Sequence, residues 1–399
     1  MFFIFFGTRI PFAEKVKDVE DITTSNIVNQ IVFSVLLIIS LVTLVPQRNQ
    51  IVSFFKREKF FLIFFIWSLL SIFWSQHPFV STKRFIQFFT SITVSLAFLT
   101  YTRNSFEAIK ILFSLLAVYV TLSLISVFII PMAKDPFGLW RGLTLHKNLL
   151  GQMGLISLVI FSYSLKYVNL KGKFFASSLI LISLALMIGS RSSTSILTLL
   201  IVSLLSITLL TDQLFEPIGI GKVISTTISI SLLSIIILIF VYASDIVEPI
   251  LGSMGKDFTF TGRVQIWKLI WEEAQTHFLT GAGFQGFWVT DTAKFEELFN
   301  ILNDIITQSH NGYLDIFNEL GLIGAILFFL VLINYFVYSR KLKDSSIWNW
   351  FVLLAVIINL TETNFITPRS SIGVMFIFSY FAMFSDLFKQ KFTREDNIE

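Results

Sequence analysis

The chain has 399 residues, of which 54% are hydrophobic and only 14% charged, and its formal net charge is +4. Soluble domains carry about 25% charged residues, so a soluble core does not account for this composition. The small positive charge gives no reason to expect nucleic acid, and the absence of cysteine excludes disulfides and thiolate metal sites.

From the start, Met1–Phe6 is apolar but too short to cross a bilayer. It lacks the basic front and small-residue cleavage site of a signal peptide, and it reads as a membrane-dipping stub. Hydrophobic segments then recur near 27–46, 60–75, 85–101, 107–131, 148–166, 174–190, 192–211, 222–243, 313–338, 346–361 and 371–388. The fold class that follows is all-α, a polytopic membrane protein with about eleven (10–12) transmembrane helices. Gly189-Ser190-Arg191 joins two of these segments in a tight hairpin. The chain divides into a helical bundle over 1–243, a long polar loop over 244–312, and C-terminal helices with a short tail over 313–399.

Orientation comes from lysine and arginine in the short connections. Arg48, Lys56, Arg57 and Lys59 fall on the same face as Lys166, Lys171, Lys173, Arg340, Lys341 and Lys343. That set outnumbers the one containing Lys83, Arg84, Lys134, Arg141, Lys147 and Arg191. The richer face is therefore cytoplasmic, and the long loop is external.

Within that loop Thr261 reads as a helix N-cap. After it Val264, Trp267, Trp271, Ala274 and Phe278 recur at steps of three and four, with Lys268, Glu272, Glu273 and Gln275 off the stripe. This is an amphipathic helix, lying along the lipid headgroups or packed on the other spans. Gly281-Ala282-Gly283-Phe284-Gln285-Gly286 ends it. The segment matches G-x-G-x-x-G, but a dinucleotide fingerprint follows a strand inside a βαβ unit, and this one follows a helix. A glycine-rich turn beside a ligand fits better.

The candidate chemistry crowds the outer face. Arg141, His146 and Lys147 precede a span, Arg191 sits at the hairpin tip, Arg263 opens the amphipathic helix, and Arg369 begins the last span after Glu362. Charges close to a membrane usually pair with something. Several guanidinium forks converging on one outer cavity would suit a diphosphate at headgroup level. Arg141 and Lys147 also have a plainer reading as snorkelling flank residues, and Glu362 as an ion-pair partner of Arg369. Arg191 has almost no room to snorkel. Arg263 opposes the positive end of its helix, which argues for an anion there. His310, followed by Asn311 in Ser309-His310-Asn311-Gly312-Tyr313-Leu314, is the candidate base. An imidazole among arginines resists protonation and can accept a proton near neutral pH. Asp315 and Glu319, five and nine residues on, are not obvious orienting partners for it. The four histidines are scattered, so no metal centre is expected.

The order and spacing of Arg141–Gly151, Gly189–Thr194, Thr261–Gly286 and His310–Leu314 with Glu319–Gly324 resemble the superfamily of bacterial O-antigen ligases and O-antigen or exopolysaccharide polymerases. The first two segments look most like the exopolysaccharide-polymerase branch, and the likeness covers about residues 60–385. The resemblance implies a glycan donor on undecaprenyl pyrophosphate, a glycan or lipid acceptor, membrane lipids, and no cofactor, metal or nucleic acid. A chain-length regulator is a candidate partner. It places the reaction at the periplasmic face of the bacterial inner membrane. Carried onto this chain, Arg191 and Arg263 bind the pyrophosphate and His310 is the catalytic base. Arg141, His146, Lys147, Asn311, Glu362 and Arg369 form a second tier. Polymerisation of repeat units is the first reading, and ligation of finished glycan to a lipid or protein is the alternative. A transporter places polar groups at mid-membrane and often shows repeats, neither of which is visible here.

Overall fold

The structure is a computed structural model that describes residues 27–102, 105–215, 260–289, 306–340, 346–367 and 370–395, with the single positions 227 and 297. The Met1–Phe6 stub, the expected span near 222–243 apart from position 227, loop residues 244–259, 290–296 and 298–305, and Arg369 lie outside the described residues.

Twelve α-helices occupy the described residues: α1 (Ile27–Leu44), α2 (Arg48–Arg57), α3 (Lys59–Leu70), α4 (Pro78–Tyr101), α5 (Ser105–Ile129), α6 (Lys147–Ser164), α7 (Leu170–Ser190), α8 (Ser193–Phe215), α9 (Phe260–Thr276), α10 (Gly312–Ser339), α11 (Ser346–Ile358) and α12 (Ser371–Glu395). No strand occurs among the described residues. Each hydrophobic segment read from the described sequence falls on a helix, and the Gly189–Arg191 hairpin separates α7 from α8. The sequence shows only a basic connection where α2 forms.

Ile27–Gln47, Ser105–Ile129, Leu170–Ser190 and Gly312–Ser339 are long and apolar enough to cross a bilayer, and four shorter apolar helices accompany them. Outward faces carry bare hydrophobic side chains: Ile38, Val118, Phe128 and Leu181 are each more than half exposed. Such a surface aggregates in water and is ordinary against lipid tails. The chain is a multi-pass membrane protein.

At the centre α6 is buried along nearly its whole length and packs on α7, α8, α11 and α12. Phenylalanines fill much of the remaining core, with the Phe328 and Phe365 rings 4.6 Å apart. Inside a membrane such packing is driven by close contact rather than by escape from water. A buried polar clamp ties three helices. Glu58, at the start of α3, accepts from the Phe61 N–H at 3.2 Å, from the Asn334 amide of α10 and from the Tyr380 hydroxyl of α12.

The helix that carries the site is broken. Gly321 takes φ 68° and ψ −172°, splitting α10. A break inside a membrane helix frees backbone groups that must find partners. Here Leu322 N–H donates to Phe278 O at 2.8 Å, Ile323 N–H to Leu279 O at 3.3 Å, and the Trp67 indole to Leu320 O at 2.9 Å. The glycine segment wraps this break. A Cβ on Gly281 (φ +75°) would stand 2.3 Å from the Glu319 carbonyl carbon, and one on Gly321 2.3 Å from Leu279 O. Close backbone approach accounts for the G-x-G-x-x-G spacing.

The amphipathic helix is present as α9, turned relative to its expected stripe. Ile266, Ile270 and Ala274 are buried, while Val264, Trp271 and Phe278 are exposed. Trp271 instead stacks on Phe317, with ring centroids 5.3 Å apart. The helix begins at Phe260, so Thr261 stands in its first turn rather than at its cap.

Candidate active site

Glu362 is the residue around which the candidate site assembles. It lies between α11 and α12 and is 5% exposed. Its Oε1 accepts from Asn148 Nδ2 at 3.0 Å, Thr194 Oγ1 at 3.3 Å and Arg263 Nη2 at 3.4 Å. Its Oε2 stands 3.3 Å from His310 Nδ1. These partners come from the first turn of α6, the first turn of α8, the start of α9 and the loop before α10. One carboxylate thus gathers four segments that lie far apart in sequence. Burial alone would raise its pKa. The His310 hydrogen bond, with the charges of His310, Arg263 and His146, outweighs that and holds the Glu362 carboxyl below its ordinary value.

His310 is half-buried and takes a left-handed backbone, φ 55°. A non-glycine residue in that region needs its surroundings to hold it. The Trp267 indole of α9 donates to Ser309 O at 2.9 Å, and Ser309 N–H donates to the Asp315 carboxylate at 3.3 Å. Asn311 caps α10, its Oδ1 accepting from Tyr313 N–H at 3.1 Å and Leu314 N–H at 3.2 Å. Gly312 N–H reaches Asn359 O at 2.8 Å and Glu362 O at 3.1 Å, which docks the start of α10 on the Glu362 loop. His310 Nδ1 also has Gln308 Nε2 at 3.2 Å. With Glu362 ionised and the Gln308 amide turned to present its oxygen, the matching tautomer carries its proton on Nδ1 and keeps the Nε2 lone pair free.

Arg263 Nη1 donates to Thr361 O at 2.8 Å while Nη2 pairs with Glu362. The anion that its helix end calls for is therefore a carboxylate of the chain itself. Arg191 caps α7 in a left-handed conformation, φ 48°, with an exposed side chain. It stands three residues before Thr194, so the hairpin tip reaches the Glu362 cluster. Arg141 does not join the cluster: its Nε donates to Met132 O within the loop before α6. His146 caps α6, Nδ1 accepting from Asn148 N–H at 3.3 Å, and Lys147 opens that helix. Glu362 finds a cationic partner in Arg263, and the expected pairing with Arg369 lies outside the described residues. Asn148 and Thr194 are missed by sequence reasoning. The only trace of them is their place beside His146 and in the hydroxyl-rich tip after Arg191.

Two comparisons bear on this arrangement. The family model described as O-antigen ligase matches residues 178–329, the stretch that holds Arg191, Arg263 and His310. The exopolysaccharide production protein ExoQ of Rhizobium meliloti is 27% identical over 299 residues, covering 70% of this chain.

The chain is similar to the O-antigen ligase family over 178–329 and to an exopolysaccharide production protein over a longer stretch.

The matched region spans 64% of the length of that relative. The O-antigen ligase match ends inside α10, so that family model reaches Arg191, Arg263 and His310 but not Glu362.

Proposed function

We propose that this protein is a glycosyltransferase that elongates glycans carried on undecaprenyl pyrophosphate at the outer face of the bacterial inner membrane. The observation that carries the reading is the shared carboxylate: Glu362 holds a histidine and an arginine at once, beside the hairpin that presents a second, exposed arginine. In the transfer step an acceptor hydroxyl oxygen attacks the anomeric carbon of the donor sugar. The bond from that carbon to the pyrophosphate oxygen breaks, and the electron pair leaves with the pyrophosphate. The hydroxyl proton passes to His310 Nε2. A positioned base of this kind contributes about 10²–10⁴-fold. Arg191 and Arg263 stabilise the charge that grows on the leaving group. A pyrophosphate is already a good leaving group, so no separate general acid is required.

In this reading about eleven spans cross the membrane and residues 244–312 lie on the periplasmic side. A chain-length regulator is the protein partner a polymerase would need.

The two comparisons favour different acceptors. The description "O-antigen ligase" supports transfer of finished glycan to a lipid or protein, and "exopolysaccharide production" supports chain growth. Incubating the purified protein with a defined lipid-linked oligosaccharide, in chelator, separates them: polymerase gives a ladder, ligase gives one added block on a supplied acceptor. His310→Ala is expected to abolish transfer while leaving the protein folded. Normal turnover by that variant would remove His310 from the chemistry.

A further inference from the structure

A second polar feature lies beside the Glu362 cluster, and the transfer chemistry leaves it unused. A partly open cavity of about 130 Å³ lies between α4, the glycine segment and the first half of α10. Its walls include Arg84, Gln87, Gln285, Trp288, Asp315 and Glu319. It also touches Gln308 and Thr363, the first 3.2 Å from His310 Nδ1 and the second adjacent in sequence to Glu362. The chamber and the imidazole are therefore neighbours.

We propose that this chamber seats one sugar ring of the glycan substrate, presenting it to His310; the inference rests on the glycosyltransferase reading above. Size is the first argument. One water needs roughly 10–15 Å³ by this measure, so the space holds about ten water-sized positions, close to the dozen or so non-hydrogen atoms of a hexopyranose. The lining is the second. Arg84 holds the loop by donating to Gln285 O at 2.5 Å and Trp288 O at 3.1 Å, and this clamp keeps the chamber open behind it. Glu319 is 3% exposed and uses Oε2 to accept from Gln285 N–H at 2.9 Å; its Oε1 has no hydrogen-bond donor among the described residues. The half-buried Gln87 lines the same space, and no side-chain hydrogen bond ties its amide to the described residues. Polar atoms that line a cavity and are left open in this way call for a ligand or water that supplies both donors and acceptors.

Other ligand classes fit less well. Two carboxylates face the space against one guanidinium, which disfavours a phosphate. Asp315 spends its oxygens on Trp288 Nε1, Ser309 N–H and the Thr363 hydroxyl, and no group of three or more potential metal ligands exists among the described residues. An acyl chain would strand the amides and acids. A neutral polyol matches all of them.

The test uses the full-length protein in a sugar-free detergent, probed with methyl glycosides of glucose, galactose and N-acetylglucosamine by saturation-transfer NMR. At least one glycoside should bind saturably. Glu319→Gln and Gln87→Ala should each weaken it about tenfold, the effect of losing one strong hydrogen bond. Gln87→Ala removes no bond within the protein, so it decides the matter should Glu319→Gln fail to fold. Absence of binding by every glycoside, or equal binding by wild type and both variants, overturns the assignment. Inorganic pyrophosphate is titrated in parallel against wild type and Arg191→Ala. Pyrophosphate binding that needs Arg191, without glycoside binding, would sink the chamber alone; loss of both would sink the transferase reading as well.

Discussion

Glu362→Gln is the substitution that separates orientation from architecture at this site. The glutamine amide oxygen can still accept from Asn148 at 3.0 Å, Thr194 at 3.3 Å and Arg263 at 3.4 Å. Arg263 also keeps Thr361 O at 2.8 Å. The stability cost is therefore the loss of charge assistance in those bonds, about 1–2 kcal/mol. The other end of the side chain changes sign. An NH₂ now faces His310 Nδ1 where a carboxylate oxygen stood at 3.3 Å. Two donors cannot share that contact, so Nδ1 must accept and the ring proton moves to Nε2. The base is then blocked, and kcat should fall by about 10²–10⁴-fold, as much as removing a general base. KM for the lipid-linked donor should change little, because the arginines remain. Glu362→Gln combined with His310→Ala should be no worse than His310→Ala, since the two residues act as one unit. The assay is steady-state consumption of a defined lipid-linked donor, with melting followed by tryptophan fluorescence. A variant that retains full turnover and melts normally would refute the orienting role. The pH dependence supplies a second check. Because the folded-state pKa of Glu362 is depressed, its contribution to stability is present above the unfolded value and is lost as pH falls through the folded one. The glutamine variant should lack that part of the acid limb.

Arg191→Lys should leave melting unchanged, because the side chain is exposed, while donor turnover falls about 10²-fold for want of the fork. Arg263→Lys should lose both, since one ammonium cannot replace the double hold on Thr361 O and Glu362; equal melting for the two variants would contradict this. Gly281→Ala and Gly321→Ala should each destabilise by about 3 kcal/mol or more, combining left-handed strain with a backbone clash. Gly138→Ala, also at positive φ but with open space around it, should cost only about 1 kcal/mol in the same melting assay. Glu58→Ala orphans the Tyr380 hydroxyl and the Asn334 amide, and should lower stability by about 3 kcal/mol without changing KM.

Much of the helical layout is legible from composition alone, because a bilayer-facing helix needs an unbroken apolar run and the sequence prints one each time. The turned face of α9 is not legible. Val264, Trp271 and Phe278 are as apolar as Ile266 and Ile270, and in a membrane protein an apolar side chain can face either lipid or core. The period of the stripe is therefore readable and its direction is not. The break at Gly321 is hidden for a related reason. Glycine is common in membrane helices, and only the carbonyls of Phe278 and Leu279, some forty residues earlier, tell this one apart.

The candidate site divides in the same way. His310, Arg191 and Arg263 stand out because charge is rare in this chain and each sits at the edge of an apolar run. Glu362 is visible too, but its partner is not. Sequence distance points to Arg369, seven residues on and outside the described residues, and gives no sign of Arg263, ninety-nine residues back. What brings Arg263 to Glu362 is the docking of Gly312 N–H on Asn359 O and Glu362 O, which carries the His310 loop to the α11–α12 connection, and with it the first half of α9 through Trp267. That docking uses backbone groups, which every residue has, so no residue type announces it. The acid that would orient the histidine was therefore to be sought not on the helix His310 precedes, where Asp315 serves the backbone of Ser309, but on the loop that the same helix start is pinned to.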